Sequence, residues 1–439
     1  MIRRQNGDRR NRDRRKNAGR PQTARWKLRL LAISLAGSLS IILLWGGELV
    51  LELGRTDPGI AAMQSAAAAG RPFDPRSRTK VVTDLRAKGV SAVPRLVPAA
   101  MLEEQEDGVQ RSILEVDGAE LLPLAGISNE TTVLCNETGR YAIYESDEHG
   151  FRNPAGSWTA QPVDLLLIGD SFTIGECVAP GETIADRLRV DWPGTVNLGY
   201  SGHSPLLELA TLVEYGRTLK PRITLWFYFE NDDAWFDLGR SRNSPLLMRY
   251  LETDFSQSLV DRQPVIDQRL RDLVNDGLAQ PDETGPYQRS RDSLRSSSRQ
   301  LLDFLKLVRT RHEFAKLKDV STPSASDPDD PLLEAILRRA RDHVTSWQGE
   351  LFVVFLPGVW HFDSKSDAPS WARRDLRDAV ARRAESLNLR FLDLKEVLEN
   401  HPDPLSLYSF RGESRLGSPH MNAAGYALTA ETVRNMLQE

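Results

Sequence analysis

Five short apolar runs alternate with amphipathic segments over the C-terminal two thirds of the chain, and this alternation limits the possible folds most strongly. Runs of this length are typical of parallel strands covered on both faces, and the segments between them have helical spacing. The pattern predicts a doubly wound α/β sheet of five parallel strands. The runs cover residues 163–168, 195–198, 222–229, 350–356 and 389–394, and the helical segments cover 184–190, 205–219, 332–347, 371–387 and 423–437.

One connection is far longer than the others. About 120 residues separate the third and fourth runs, where a few residues are typical of such links. The sequence therefore predicts a large insertion after the third strand, at residues 237–345, of the kind that forms a cap or a binding lobe. Within it, a helical stretch is expected near residues 293–316 and a solvated Pro/Ser-rich linker at 319–331.

The N-terminus has a different composition. Residues 1–29 carry a balance of +10 in a chain whose net charge is −4, so the remainder carries −14. The next 18 residues, Leu30 to Gly47, are uncharged and long enough to span a bilayer. The basic flank favours a cytoplasmic N-terminus, a membrane anchor at 30–52 and an extracytoplasmic remainder. The alternatives are a cleaved signal peptide, although no small-x-small site follows the run, and a nucleic-acid-binding arm; we expect no nucleic-acid partner.

The remaining chain divides in two by composition. Residues 53–125 begin with an Ala-rich stretch and are expected to form a stalk and a small leading segment, and residues 126–439 form the main domain. The chain has two cysteines, Cys135 and Cys177, both on the predicted outer side, where disulfides persist. We expect one bridge, with two unpaired buried thiols as the alternative. Neither cysteine has metal-ligand spacing, so neither a metal nor a cofactor is expected.

Polar residues follow the ends of the predicted strands, where ligands bind in open parallel sheets. Ser171 follows the first strand, Gly199 the second and Asn231 the third, while His420 precedes the last helix. A serine hydroxyl needs a base to take its proton, and a histidine can be that base. Taken singly, Ser171 is better explained as a turn or helix N-cap residue, and each of the other three also fits a turn, loop or cap residue. Their joint order predicts one catalytic site.

The residues around these positions form four sequence blocks. They read GDSF at 169–172, NLGYSG at 197–202, ND at 231–232 and HMNAAGY at 420–426, after the lead-in YESDEHGFRN at 144–153. The blocks resemble the SGNH hydrolase superfamily, also called GDSL esterases and lipases, and in particular its membrane-anchored bacterial members. The resemblance implies a flavodoxin-like fold, Ser171 as nucleophile, His420 as base, and an oxyanion hole formed by Ser171, Gly199 and Asn231. We expect Asp170 to support the nucleophile loop through hydrogen bonds to its backbone.

One position departs from the family pattern. The family usually has an acid three residues before the histidine, and here that residue is Gly417. The residue that orients His420 is therefore open: a backbone carbonyl, Glu413, or no residue at all in an inactive copy.

The expected function is that of a membrane-anchored, extracytoplasmic serine hydrolase that cleaves an ester. The expected substrate is an acylated carbohydrate or lipid, with the acyl group on an envelope polysaccharide or glycolipid. Two alternatives stay open. One is a polysaccharide O-acetyltransferase that uses the same acyl-enzyme, and the other is a carbohydrate-binding protein without turnover. The sequence leaves the acyl group, the acceptor, the role of the insertion and the oligomeric state undetermined.

Overall fold

The computed structural model describes most of the chain in separate ranges. They form two compact units, one holding residues 1–55 and 291–322 and the other holding 56–290 and 323–439. The described ranges are 22–53, 63–64, 66–68, 70–159, 162–230, 237–276, 330–362, 376–409 and 420–438, together with residues 307 and 310.

The described part of the first unit is dominated by one helix, α1 (Gln22–Leu53), of 32 residues. Its Arg29–Leu49 stretch is the one helical segment in the described ranges that is long and apolar enough to cross a membrane. Large apolar side chains along it are exposed, including Leu31, Ile33 and Leu35. This matches the apolar run predicted from the sequence, and its role as an anchor is taken up below as a proposal.

The second unit is built on a five-stranded parallel sheet in the order β9-β8-β10-β11-β12. Counted along the sheet's own strands this is the order 2-1-3-4-5, which reverses between β8 and β10, where such folds bind ligands. The five predicted apolar runs are therefore confirmed as strands. They are β8 (Leu165–Ile168), β9 (Thr195–Asn197), β10 (Ile223–Phe229), β11 (Glu350–Leu356) and β12 (Arg390–Asp393).

Both faces of this sheet are covered. Along β8, Leu166 and Ile168 face one apolar core while Leu165 and Leu167 face the other, because side chains alternate across a strand. All four are fully buried, which explains why the run is apolar throughout instead of alternating. The covering helices of the first core are α5 (Pro205–Thr211), α10 (Pro331–Thr345) and α11 (Leu376–Ser386), and those of the second are α4 (Ile184–Leu188), α12 (Leu394–Glu399) and α13 (Ala423–Gln438).

Helix starts follow local capping signals. Ser204 accepts a hydrogen bond from Leu207 N–H ahead of α5, and Asp330 accepts one from Leu332 N–H at 2.9 Å ahead of α10. Proline occupies the first helical position in both, where its missing N–H costs no hydrogen bond. After α5 the helix widens into a π-turn at Leu212–Gly216 and ends with α6 (Arg217–Leu219).

The segment before the main sheet packs into the same core. Side chains from Val93 to Leu124 share an apolar cluster with Leu166 and Trp226 of the sheet. The part of the predicted 53–125 segment from Val93 to Leu124 therefore packs with the main sheet. The elements described before the main sheet are α2 (Arg78–Ala87), β1 (Ala92–Pro94), β2 (Leu102–Glu104), β3 (Gln110–Ser112), β4 (Glu115–Val116) and β5 (Ala119–Glu120), followed by β6 (Thr131–Val133) and β7 (Ile143–Glu145).

The described first part of the predicted insertion is also packed on this core. The buried carboxylate of Glu214 accepts hydrogen bonds from Tyr250 Oη at 2.7 Å and from Leu259 N–H at 2.9 Å. The helices here are α7 (Asp237–Ser241), α8 (Pro245–Met248) and α9 (Gln263–Asn275). The stretch expected at 293–316 and the linker at 319–331 lie almost wholly outside the described residues.

Candidate active site

Ser171 lies in a tight turn between β8 and a short helix, α3 (Ser171–Ile174). Gly169 precedes it with φ of +155°, and a Cβ there would lie 2.1 Å from Thr173 Oγ1, so only glycine fits. Asp170 caps α3 by accepting a hydrogen bond from Phe172 N–H at 2.9 Å. Asp170 thus makes the backbone contact that the sequence predicts, and the turn delivers Ser171 to the carboxyl edge of the sheet.

His420 meets Ser171 from the opposite end of the chain. Its Nε2 lies 2.8 Å from Ser171 Oγ, within hydrogen-bond distance. The His420 carbonyl accepts a hydrogen bond from Ser409 N–H at 3.0 Å, and the ring lies 5.0 Å from that of Phe172. When the imidazole is neutral with its proton on Nδ1, Nε2 accepts the hydrogen bond of the serine hydroxyl.

The hydrogen-bond partner of His420 Nδ1 is Glu137. Its Oε2 lies 2.9 Å from His420 Nδ1 and also accepts a hydrogen bond from the His420 backbone N–H at 3.2 Å. The sequence leaves the orienting residue open between a carbonyl, Glu413 and no residue, and the structure places here an acid that comes before the first strand of the main sheet. Gly417 and Glu413 lie outside the described residues.

A signal for Glu137 is present in the sequence. Glu137 follows Cys135 by two residues, and the expected partner of Cys135 is Cys177, six residues after Ser171. If the bridge forms, any side chain next to Cys135 is brought close to the nucleophile. That step from a disulfide to its neighbour would have identified the acid.

The electrostatics of the site favour a charged imidazole. Burial lowers the pKa of His420, but the charge and hydrogen bond of Glu137 act against it, with smaller contributions from Glu176 and Asp170. The net result raises the pKa of His420 to about 9. The ring is therefore largely protonated at pH 7, and the base form needed to activate Ser171 accumulates as the pH rises toward 9.

Cys135 and Cys177 form a disulfide with their Cα atoms 5.2 Å apart, so the predicted bridge is confirmed and the alternative of two free thiols is wrong. Among the described residues, two groups of His, Cys, Asp and Glu have ligand atoms close enough to share a metal ion. Both groups include Cys177, whose sulfur is already bonded and is not a thiolate donor.

The three expected oxyanion donors fall in different situations. The Ser171 N–H has no hydrogen-bond acceptor among the described residues and begins a helix, where such a group is free to bind an anion. The Gly199 N–H instead donates to Asn197 Oδ1 at 2.9 Å. Asn231 lies outside the described residues. A donor role for Gly199 would require its present hydrogen bond to open, and the roles of Gly199 and Asn231 stay proposals.

Gly199 does contact the nucleophile turn closely. A Cβ at this position would lie 2.4 Å from Thr173 Cβ and 2.8 Å from Ile174 N. Glycine is therefore required for the loop after β9 to pack against α3, whichever group its N–H binds.

The sheet order, the serine after the first sheet strand and the histidine before the last helix occur together. These features lie in the order that the four sequence blocks predict. The strand order β9-β8-β10-β11-β12 and the Ser171–His420 contact agree with what the resemblance to SGNH hydrolases implies, and membership of that superfamily stays a prediction. The acid differs from the family pattern, because Glu137 lies before the main sheet and not three residues before His420.

Comparison with solved structures finds distant likenesses. A lipase/acylhydrolase from Enterococcus faecalis matches 62% of this chain and 94% of its own at 14% identity and a TM-score of 0.34. The acetyl xylan esterase AlAXEase matches 62% of this chain and 99% of its own at 10% identity and a TM-score of 0.35. These likenesses are too distant to support an activity. No protein-family model and no curated protein sequence matches the chain.

A second histidine–carboxylate pair lies at the same edge of the main sheet. Glu230, directly after β10, is buried and accepts hydrogen bonds from Gly358 N–H at 3.0 Å and from His361 Nε2 at 2.7 Å. The pair joins the ends of β10 and β11, next to the turn that carries Trp360.

Proposed function

We propose that the chain is a serine ester hydrolase in which Ser171 is the nucleophile, His420 the general base and Glu137 the orienting acid. One observation carries the proposal: His420 lies between the other two, with Nε2 at 2.8 Å from Ser171 Oγ and Nδ1 at 2.9 Å from Glu137 Oε2. Serine hydrolases require this connected order of nucleophile, base and acid.

The first half of the reaction acylates Ser171. Its Oγ attacks the ester carbonyl carbon while the hydroxyl proton passes to His420 Nε2, and the carbonyl oxygen becomes an oxyanion near the Ser171 N–H. Glu137 stabilises the imidazolium through Nδ1–H. The tetrahedral intermediate then breaks its bond to the alcohol oxygen, which leaves with the proton from His420.

The second half releases the acid. A water molecule gives its proton to His420 Nε2 and attacks the acyl carbonyl, and the bond to Ser171 Oγ breaks as His420 returns the proton to it. If a sugar hydroxyl takes the place of water, the same steps transfer the acyl group, so the site chemistry is shared by hydrolysis and transfer.

The proposed location at the membrane limits which substrates the catalytic unit can reach. We propose that the helix at Arg29–Leu49 anchors the chain in the cell membrane with the N-terminus in the cytoplasm. A catalytic unit on the outer side meets envelope polysaccharides and glycolipids, and the proposed reaction removes an O-acyl group from one of them. The disulfide is consistent with an oxidising outer compartment.

The test uses the purified full-length chain in mild detergent with p-nitrophenyl acetate as substrate. We expect hydrolysis by the wild type and a loss on the order of 10³-fold or more in Ser171→Ala and His420→Ala, because each removes a member of one catalytic unit. Thr432→Val, which changes one hydroxyl on α13, serves as the control. Hydrolysis that persists unchanged in Ser171→Ala would refute the proposal.

The alternative of a binding protein without turnover loses its one argument. That argument is the absence of an acid before His420, and Glu137 occupies the position next to His420 Nδ1. Transfer stays an outcome of the same experiment: adding an oligosaccharide acceptor and analysing acetylated products separates transfer from hydrolysis.

A further inference from the structure

Glu137 lies on a segment outside the catalytic sheet. The segment follows β6, a strand of three residues, and β6 pairs with β1 and β7 in a separate small sheet. Ser171, in contrast, is fixed directly by a strand of the main sheet and His420 by the start of α13. The acid therefore depends on contacts between its own segment and the nucleophile loop to stay at 2.9 Å from His420 Nδ1.

Two contacts flank Glu137 and end on the same residue. On one side, Cys135 is bonded to Cys177. On the other side, Thr138 Oγ1 donates a hydrogen bond to the Cys177 carbonyl at 3.0 Å. A covalent bond two residues before Glu137 and a hydrogen bond one residue after it both tie the acid's segment to Cys177.

Cys177 is itself held firmly against the nucleophile turn. The buried guanidinium of Arg152 donates to the carbonyls of Gly175 at 2.7 Å and Val178 at 2.8 Å, on either side of Cys177. Between them, the buried carboxylate of Glu176 pairs with Arg95 and accepts from Ser201 Oγ at 2.6 Å. The anchor point is thus rigid, and it lies six residues after Ser171.

We propose that the Cys135–Cys177 disulfide and Thr138 are positioning elements that hold Glu137 against His420, so that the chain becomes catalytically competent only after this bond has formed. The inference rests on the proposed function and adds the condition under which it operates. Both cysteines are buried, with Cys135 3% and Cys177 1% exposed, so the bond is shielded from reductants in the folded protein. Its formation removes two protons and two electrons from the thiols, which pass to a disulfide oxidant of the outer compartment.

The experiment compares wild type, Cys135→Ala/Cys177→Ala, Thr138→Val and Glu137→Gln, all as full-length chain, by kcat/KM for p-nitrophenyl acetate across pH 5–10. Losing the tether frees Glu137, so kcat/KM of the double cysteine variant should fall on the order of 10³-fold, as expected for Glu137→Gln, and that of Thr138→Val several-fold. In both, the rise of kcat/KM with pH should move below 9, as in Glu137→Gln. Thr432→Val, whose hydroxyl donates to Leu428 O at 2.9 Å, is the matched control.

Combining the substitutions shows whether the disulfide affects kcat/KM through Glu137. If the disulfide acts through Glu137, adding Glu137→Gln to the cysteine double variant should cause little further loss. The inference is overturned if a folded cysteine variant, with a wild-type circular dichroism spectrum, keeps the wild-type pH profile. It is also overturned if the two losses multiply.

A second readout does not require turnover. Imidazole-¹⁵N NMR follows the titration of His420, assigned by comparison with His420→Gln. Among the described residues, the charged groups that act on this ring are Glu137, Glu176 and Asp170, and Glu137 is the one that hydrogen-bonds to its Nδ1. The pKa of His420 should fall in the cysteine double variant and in Thr138→Val; an unchanged pKa would refute the inference. If the wild type shows no Ser171-dependent hydrolysis, the proposed function fails, while this titration still tests the tether.

Discussion

At the scale of single residues, local sequence patterns predict the places of Ser171 and His420 but not that of Glu137. Ser171 and His420 lie at element boundaries, where the apolar pattern stops and a turn or helix begins, so their places could be predicted. Glu137 reaches His420 across 283 positions of sequence, and no spacing rule connects them. Long-range contacts of this kind are invisible to periodicity, and only the cysteine pair offers a route to it.

Glu137→Gln tests the acid. A neutral amide removes the charge that raises the pKa of His420 to about 9, so that pKa should fall toward its ordinary value near 6.5. Because the neutral imidazole is the active form, wild-type kcat/KM should rise with pH up to about 9. In Glu137→Gln the rise should occur at lower pH, with a plateau reduced on the order of 10³-fold. The measurement is a pH profile with p-nitrophenyl acetate, and Glu431→Gln, an exposed carboxylate on α13, is the control.

If the pH profile of Glu137→Gln coincides with that of the wild type, the carboxylate does not act on His420. A lower plateau without a displaced rise would point to altered packing instead.

Gly199→Ala tests close packing at the nucleophile turn. The added methyl would lie 2.4 Å from Thr173 Cβ, and the backbone must move to relieve this contact. Overpacking of this kind costs about 1–3 kcal/mol, so the thermal midpoint should fall by several degrees and kcat/KM should fall with it. Gly46→Ala, where a Cβ meets no atom within 4 Å, should leave both unchanged. Wild-type stability and activity in Gly199→Ala would contradict the packing argument.

At the scale of elements, the loop between α3 and α4 is organised by one buried cation. Arg152 donates to the carbonyls of Gly175 and Val178 and stacks over the ring of Tyr144 at 5.2 Å. Burial lowers the pKa of Arg152. Both Arg152 and Tyr144 belong to the lead-in block at 144–153 that resembles the family pattern. Through Arg152, this block holds the backbone from Gly175 to Val178, which follows Ser171 in the chain.

Arg152→Lys should therefore not preserve function. A lysine ammonium cannot span two carbonyls as the planar guanidinium does, and each lost charged hydrogen bond costs about 1.5–3 kcal/mol. We expect a lower denaturation midpoint and a kcat/KM reduced at least tenfold. Differential scanning calorimetry and ester hydrolysis measure the two effects, with the exposed Arg338→Lys as control. Arg152→Lys with wild-type activity would show that the loop holds its position without this cation.

Sequence patterns predict the elements of the main sheet but not those before it. The sheet strands β8, β10 and β11 are largely apolar runs of up to seven residues, whereas β4 and β5 have two residues each. Strands this short show no periodicity, and tertiary packing instead of local propensity decides their structure. This is why the sequence predicts only a stalk and a small leading segment at 53–125, without these strands, and does not predict that side chains from Val93 onward lie in the core.

At the scale of the whole molecule, one chain carries both a helix long enough to span a membrane and an α/β unit with a disulfide. The charge pattern and the apolar run predict the helix. Its use as an anchor depends on the membrane, so it requires a separate experiment.

The full-length chain should sediment with membranes and resist extraction by alkaline carbonate. Each arginine at the centre of a spanning helix costs about 2.5–3.5 kcal/mol, so Leu35→Arg/Leu39→Arg should move the chain into the soluble fraction. Exposed positions outside the span, such as Val190→Arg, serve as control. Wild-type chain found in the soluble fraction would contradict the anchor.

The most direct measurement of the proposed triad is covalent labelling with a fluorophosphonate, followed by mass spectrometry of the modified peptide. We predict one adduct, on Ser171, that is absent in Ser171→Ala and slowed strongly in His420→Ala and Glu137→Gln. An adduct on another residue, or labelling that is unchanged by all three substitutions, would contradict the Ser171–His420–Glu137 triad.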